Sequence, residues 1–270
     1  MNFFHTFVLG IFQGLTEFIP VSSAAHLILI PWFFNWKAPE LAMVVALQMG
    51  TLVALFSYFA GDWLMILRGG LASILERKIG FERERLLFWL IFVGSIPAGF
   101  SAWLFHGNSE FHSPLVIAIY LTIVGFLMYW IDGKYTALRS IDELRMKDAI
   151  IIGLVQCFGV IPGVSRSGIT MTAGRLYGMN REASARFAFM LSFPILVASG
   201  LLNCRSLAEN PNWGVSTAQL VTGFVLAFFF GLIGIGFTLR FLRSADLAIF
   251  AWYRIGLAVV IILWSLLVRT

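Results

Sequence analysis

Charge is scarce in this sequence. Asp, Glu, Lys and Arg make up 12% of its 270 residues, where a soluble globular domain carries about a quarter. That deficit excludes an ordinary water-facing surface. Cysteine is scarcer still, with only Cys157 and Cys204 in the chain. Two thiols without paired metal-ligand spacing build neither a disulfide framework nor a metal centre, and both read as ordinary apolar-site cysteines. A basic leader is also missing: the first Lys or Arg is Lys37, so the N-terminus does not read as a signal peptide. The net charge of +5 forms no stripe. Its basic residues gather between apolar stretches, as membrane topology requires, and no nucleic-acid partner is expected.

What the chain does have is long apolar runs. Glu40–Ala60, Leu86–Leu104, Pro114–Ile131, Ser184–Leu202, Thr217–Leu239 and Leu247–Val268 each approach or exceed the roughly 20 residues that cross a bilayer. Helices apolar on every face are not those of a soluble bundle. The sequence therefore predicts an all-α polytopic membrane protein with six transmembrane helices and membrane lipids as its immediate partners.

Basic residues orient these spans. Gly61–Leu87 holds Arg68, Arg77, Lys78, Arg83 and Arg85; Asp132–Asp148 holds Lys134, Arg139, Arg145 and Lys147; Arg240–Asp246 holds Arg240 and Arg243. Phe105–Ser113 has no Lys or Arg, and Asn203–Ser216 has only Arg205. The positive-inside rule places the first three in the cytoplasm and the last two outside. The stretch 147–182, between the third and fourth spans, then begins and ends inside, although Ala149–Ile161 carries no charge. By the same logic 1–36 begins and ends outside. Each reads as a re-entrant helix pair; reading them as full spans leaves the second half of each too short or too polar.

The two odd segments resemble each other. Gly10-Ile11-Phe12-Gln13 precedes Pro20-Val21-Ser22-Ser23, and Gly153-Leu154-Val155-Gln156 precedes Pro162-Gly163-Val164-Ser165. Gln13 and Gln156 stand 143 residues apart, as do Ser22 and Ser165. Three spans follow each copy, and charge gives the copies opposite directions. A single membrane domain built as an inverted-topology repeat is expected, with halves of about 1–135 and 145–270 and broken helices meeting near the midplane.

Polar residues concentrate in those breaks. Gln13 and Glu17 are four apart and share a helical face, as do Ser22 and His26. A carboxylate inside an apolar segment is a functional candidate by default, and beside it His26 is a candidate general acid or base. The second break, Pro162 to Thr170, combines small residues that admit close approach of a ligand with an anion nest of N–H groups. The hydroxyls of Ser165, Ser167 and Thr170 add donors, and Arg166 supplies a fork that fits phosphate oxygens. No Walker sequence is present. An acidic loop opposite a phosphate-type loop suggests a divalent cation, Mg2+ or Ca2+, bridging carboxylate and phosphate. Arg175, Arg181 and Arg186 flank the second loop and are expected to touch lipid headgroups at the cytoplasmic return. Arg254, beside Trp252 and Tyr253, lies deeper than a loop charge; pairing inside the bundle and snorkelling both fit it.

These two loops resemble the bacterial undecaprenyl-diphosphate phosphatases of the bacitracin-resistance type. The resemblance rests on Gln13 to Glu17, on Pro20 to Ser23 with His26, and on Pro162 to Thr170, and it extends along essentially the whole chain. It implies hydrolysis of undecaprenyl diphosphate to the monophosphate, with a divalent cation, on the periplasmic side of the inner membrane, recycling the lipid carrier of peptidoglycan. By position, Glu17 and Gln13 would serve the metal and acid side, Ser23 would be nucleophile or water-positioning hydroxyl, and His26 a proton carrier. Ser165, Arg166 and Thr170 would hold the diphosphate. The chain departs from the pattern at Gln13, where many relatives have Glu, and at Ala24-Ala25, where many have Thr-Gly. A transporter or flippase of an anionic polyprenyl lipid is the competing class, because inverted repeats with broken helices are common in transporters. A homodimer is compatible with the sequence.

Overall fold

The computed structural model describes residues 1–80, 82–104, 112–135, 138–209 and 213–268. Its first half comprises α1 (Phe3–Phe18), α2 (Ser23–Phe33), α3 (Leu41–Tyr58), α4 (Ala60–Glu76), α5 (Arg83–Leu104) and α6 (Pro114–Lys134). The second comprises α7 (Met146–Gln156), α8 (Arg166–Leu176), α9 (Arg181–Glu209), α10 (Thr217–Phe241) and α11 (Ala248–Val268). No strand occurs among the described residues beyond one isolated bridge between Arg139 and Met179.

Six of these helices, α3, α5, α6, α9, α10 and α11, are long and apolar enough to cross a bilayer. They coincide with the six apolar runs. Their outward faces carry Phe92, Phe100, Phe126, Phe229, Phe237 and Leu263, all exposed. A surface of large apolar side chains is stable only against lipid. The chain is an all-α polytopic membrane protein.

The shorter helices pack against this set. α1 runs along α10, and α7 runs along α5. Contact between α5 and α7 depends on a missing side chain. A Cβ at Gly153 would lie 2.0 Å from the Gly94 carbonyl oxygen, so only glycine lets the two backbones meet. Phe18 and Leu55 join Ala149, Ile152, Met171, Phe187 and Ile235 in one continuous buried cluster that ties the halves together.

Three expectations need correction. The segment Gly61–Leu87, expected to be a loop, is largely taken up by the 17-residue helix α4. Its Trp63, Ile66, Gly70 and Ser73 are buried while Leu64, Leu67, Leu71 and Leu75 are exposed. With Asp62 and Arg68 in it, the segment fell short of a span by composition, yet packing against α5 holds it as a helix. The loop Asn203–Ser216 is shorter than expected, because α9 continues to Glu209. Finally, Arg175 is buried and cannot touch headgroups, and Arg181 and Arg186, each about a third exposed, are held on carboxylates of the chain itself and are not free flanking charges. Arg175 Nε donates to Asp132 Oδ1 at 2.5 Å and Arg181 Nε to both Asp132 oxygens at 3.0 Å. Arg186 Nη2 bonds both oxygens of Asp62 at 2.6 and 2.7 Å. Guanidinium groups near an apolar bundle find a carboxylate because an unpaired buried charge is expensive. Of the loop Phe105–Ser113, residues 105–111 lie outside the described residues.

Candidate active site

Each polar break is built the same way. α1 stops at Phe18, where Pro20 removes a donor two residues on; the Ile19 N–H still donates to the Leu15 oxygen, and the Val21 N–H folds back on the Ile19 oxygen at 2.7 Å. Ser22 then caps α2, its Oγ accepting from the Ala25 N–H at 3.4 Å. In the second half, α7 tightens into a 3-10 turn over Cys157–Val160. Gly163 follows at φ +96°, a conformation that suits glycine. Ser165 caps α8, its Oγ accepting from the Gly168 N–H at 3.1 Å. Both capping serines hold positive φ, 79° at Ser22 and 68° at Ser165. Strain of this kind costs about 1–3 kcal/mol per residue and marks functional sites.

The two tips touch. The Gly163 N–H donates to Ser22 Oγ at 3.1 Å, and Ser167 Oγ donates to the Glu17 backbone oxygen at 3.2 Å. Between them lies the Glu17 carboxylate, whose side chain is 8% exposed. Its Oε2 accepts from Ser23 Oγ at 2.6 Å and from Gln13 Nε2 at 3.0 Å. Its Oε1 accepts from Arg166 Nη2 at 3.0 Å. The acid of the first segment and the guanidinium of the second, 149 residues apart, therefore meet.

A cavity of about 470 Å³ opens onto this cluster, lined by Gln13, Glu17, Ser22, Ser23, Ser165 and Arg166 on its polar side and by Leu27, Ile28, Val44 and Ile161 on its apolar side. The first residues of α2 and α8, namely Ser23, Ala24 and Arg166, reach the same space. The leading N–H groups of a helix have no intrahelical acceptor and carry the positive end of its dipole. Two such ends with one guanidinium make a site suited to an anion, and the apolar wall suits a hydrocarbon chain. Ser23 Oγ against Glu17 Oε2 is a hydroxyl placed on a proton acceptor, the arrangement of an activated nucleophile.

The other expected residues lie elsewhere. Ser167 packs under the tip against the Glu17 backbone. Thr170 is buried one turn into α8, its hydroxyl without a hydrogen-bond partner. His26 is buried behind Ser22: Nδ1 donates to the Ser22 oxygen at 2.8 Å, and Nε2 accepts from the Tyr253 hydroxyl at 2.8 Å. The Ser22 carbonyl can only accept, which puts a proton on Nδ1; in the neutral ring Nε2 is then the acceptor for the Tyr253 hydroxyl. The Phe12 and Tyr253 rings lie near-parallel to that ring, each with its centroid 5.9 Å away. Three residues that the sequence reading passed over or left without a role belong to the site. Gln48 of α3 lines the cavity; an amide in the middle of an apolar span was its signal. Tyr253 and Arg254 of α11 hold the tips from behind; the depth of Arg254 in its span was the signal there.

Fold and site define a class: a multi-pass membrane protein with an anion-suited polar centre built from two broken helices and opening on a partly apolar cavity. The chain belongs to the BacA family, the family of bacitracin resistance protein BacA, whose model matches residues 6–260. The undecaprenyl-diphosphatase of Pelotomaculum thermopropionicum is 41% identical to it over 266 residues, covering 97% of each chain. That of Moorella thermoacetica is 42% identical over 264 residues, again 97% of each. That of Thermomicrobium roseum is 39% identical over 272 residues, 97% of this chain and 98% of the relative.

Proposed function

We propose that this protein is a hydrolase that removes the terminal phosphate of undecaprenyl diphosphate, giving undecaprenyl phosphate and inorganic phosphate and renewing the lipid carrier of peptidoglycan synthesis. The observation that carries the chemistry is the Ser23–Glu17–Arg166 contact at the meeting of the two tips. Arg166 spends one of its five N–H donors on Glu17, and the others remain for phosphate oxygens. The N-termini of α2 and α8 add dipoles aimed at the same anion. In this reading Ser23 Oγ attacks the terminal phosphorus while Glu17 takes its proton. The bond from that phosphorus to the bridging oxygen breaks, and undecaprenyl phosphate leaves with the electron pair. The proton that Glu17 took leaves with the undecaprenyl phosphate, and the freed carboxylate deprotonates a water that attacks the phosphorus of the Ser23 phosphoester; the bond from phosphorus to Ser23 Oγ breaks, inorganic phosphate leaves, and Glu17 returns the proton to Oγ. Glu17 is favoured over His26 as proton acceptor because it contacts Ser23 directly, whereas both nitrogens of His26 are engaged elsewhere.

A divalent cation, Mg2+ or Ca2+, fits the donor set. Among the described residues no cluster of three or more His, Cys, Asp or Glu exists, so a preformed protein cage is not the arrangement. The carbonyl oxygens Oε1 of Gln13 and Gln48, however, are buried and unpartnered in residues that line the cavity beside Glu17. Oxygen donors of this kind, with one carboxylate and substrate phosphates, are what a hard cation takes. Glu17 and Gln13 would hold it, and it would supply charge neutralisation on the transferring phosphoryl group.

The same proposal puts the protein in the bacterial inner membrane, with α1–α2 and α7–α8 as re-entrant pairs entering from opposite faces and the cavity opening to the periplasmic side. The distribution of Arg77, Lys78, Arg83, Lys134, Arg139, Arg240 and Arg243 between spans supports that orientation. So does the echo of Ser22 in Ser165, two serines of the same strained conformation and the same capping role, for an inverted repeat of the halves.

The decisive experiment is phosphate release from undecaprenyl diphosphate by purified protein in detergent, where no second compartment exists for transport. Wild type should release phosphate, a chelator should abolish release, Mg2+ or Ca2+ should restore it, and Glu17→Ala should be inactive under all conditions. Wild-type protein that stays silent with either cation present would end the proposal.

A further inference from the structure

Arg254 is fully buried, 0% exposed, in a span whose neighbouring surface is lipid-facing. Among the described residues it pairs with no carboxylate; its partners are carbonyl oxygens. Nη1 donates to the Pro20 oxygen at 3.2 Å, and Nη2 donates to those of Gly163 at 2.6 Å and Val164 at 2.9 Å. Pro20 belongs to the first tip, Gly163 and Val164 to the second. A single guanidinium fork thus spans both breaks. Burying such a group without a counter-ion is costly, so its retention there needs a reason beyond packing.

Geometry supplies one. In a trans peptide the carbonyl and the following N–H point in opposite directions. Anchoring the Val164 oxygen on Arg254 therefore turns the Ser165 N–H away from α11, and Ser165 lies on the cavity wall. The adjacent Tyr253 acts on the other tip. Its hydroxyl donates to His26 Nε2, and His26 Nδ1 donates to the Ser22 oxygen. The two residues so held, Ser22 and Ser165, are the capping serines with positive φ, a conformation that persists only where surrounding contacts over-determine it. Neither Tyr253 nor Arg254 lines the cavity.

We infer that Tyr253 and Arg254 of α11 form a brace that locks the two tips against each other and thereby sets Ser23 and Arg166 in register for phosphoryl transfer. They are positioning residues that touch no substrate. The inference deepens the phosphatase reading and rests on it for the meaning of the register, but the register itself is measurable without any reaction.

The test uses full-length Arg254→Lys and Tyr253→Phe proteins. Lysine keeps the charge but is a point donor that cannot span three carbonyls on two segments; Tyr253→Phe removes one hydroxyl and keeps the ring. Steady-state phosphate release should show kcat reduced roughly ten- to hundredfold in Arg254→Lys, because small misplacement of reacting groups is that costly. KM should stay within about threefold, since substrate-binding groups are intact. Tyr253→Phe should lose kcat in the same sense with an unchanged melting temperature. In parallel, spin labels at Ala24→Cys and Ile161→Cys, with Cys157 and Cys204 replaced by Ser, report the distance between tips. That distribution should be narrow in wild type and broaden in Arg254→Lys. Wild-type distance distributions with wild-type kcat in both variants would overturn the brace. Broadened distributions in a protein whose wild type releases no phosphate would uphold the brace and reject the phosphatase reading.

Discussion

Replacing Glu17 by Gln isolates the step on which the proposed chemistry turns. The substitution keeps the shape of the side chain but replaces one carboxylate oxygen by an NH2 group that cannot accept a proton or a hydrogen bond. In the wild type, Oε2 receives Ser23 Oγ and Gln13 Nε2, and Oε1 receives Arg166. Any orientation of the amide therefore sets a donor against a donor. Loss of a positioned general base typically costs about 10²- to 10⁴-fold in rate, which is about 2.7–5.5 kcal/mol at roughly 1.36 kcal/mol per decade. Ser23→Ala removes the attacking oxygen and should cost the same order. The informative measurement is the double variant. Groups that act as one unit give losses that do not add, so Glu17→Gln/Ser23→Ala should be no slower than the worse single variant. Independent groups would multiply to about 10⁴- to 10⁸-fold. Single-turnover phosphate release with excess enzyme separates these outcomes. A double loss equal to the product of the single losses, or substantial hydrolysis in Ser23→Ala, would refute a Ser23 nucleophile activated by Glu17. The melting temperature of Glu17→Gln should fall as well, because Arg166, with 22% of its side chain exposed, loses its counter-ion; hydration from the cavity limits that cost to about 1–3 kcal/mol.

Two further outcomes test the frame around the site. Gly153→Ala should destabilise the protein, since its Cβ would meet the Gly94 oxygen at 2.0 Å and a backbone atom cannot move aside as a rotamer does; overpacking of about 1–3 kcal/mol outweighs the gain of about 1 kcal/mol in helix propensity. An unchanged melting temperature in detergent would show that α5 and α7 are not in such contact. For orientation, single cysteines at Lys78 and Ala218, in a background lacking Cys157 and Cys204, should react differently with an impermeant maleimide in intact spheroplasts. Ala218→Cys should label at once and Lys78→Cys only after permeabilisation, and the reverse pattern would invert the proposed topology.

Six spans were legible because the decision to enter a bilayer is local. About twenty apolar residues must leave water together, and composition alone records that. The candidate centre was legible for a related reason. Gln13, Glu17 and Ser23 are polar groups in an apolar segment, the Pro162–Thr170 loop combines small residues with hydroxyls and an arginine, and the spacing of 143 residues repeats between Ser22 and Ser165. α4 escaped because a helix of 17 residues with Asp62 and Arg68 is held by its packing on α5, which composition does not record.

The tertiary structure alone decided which way each side chain turned and what it met. Thr170 and Ser167 sit on the tip helix yet face the protein, and His26 turns from the cavity toward Tyr253, 227 residues away. Arg175 and Arg181 find Asp132 across 43 and 49 residues, and Arg254 reaches back 234 residues to Pro20. A sequence specifies the cost of burying a charge or a polar group at each position. Which distant group satisfies it depends on helix rotation and on close approaches such as Gly153 to Gly94, and those are settled only when all the helices pack together.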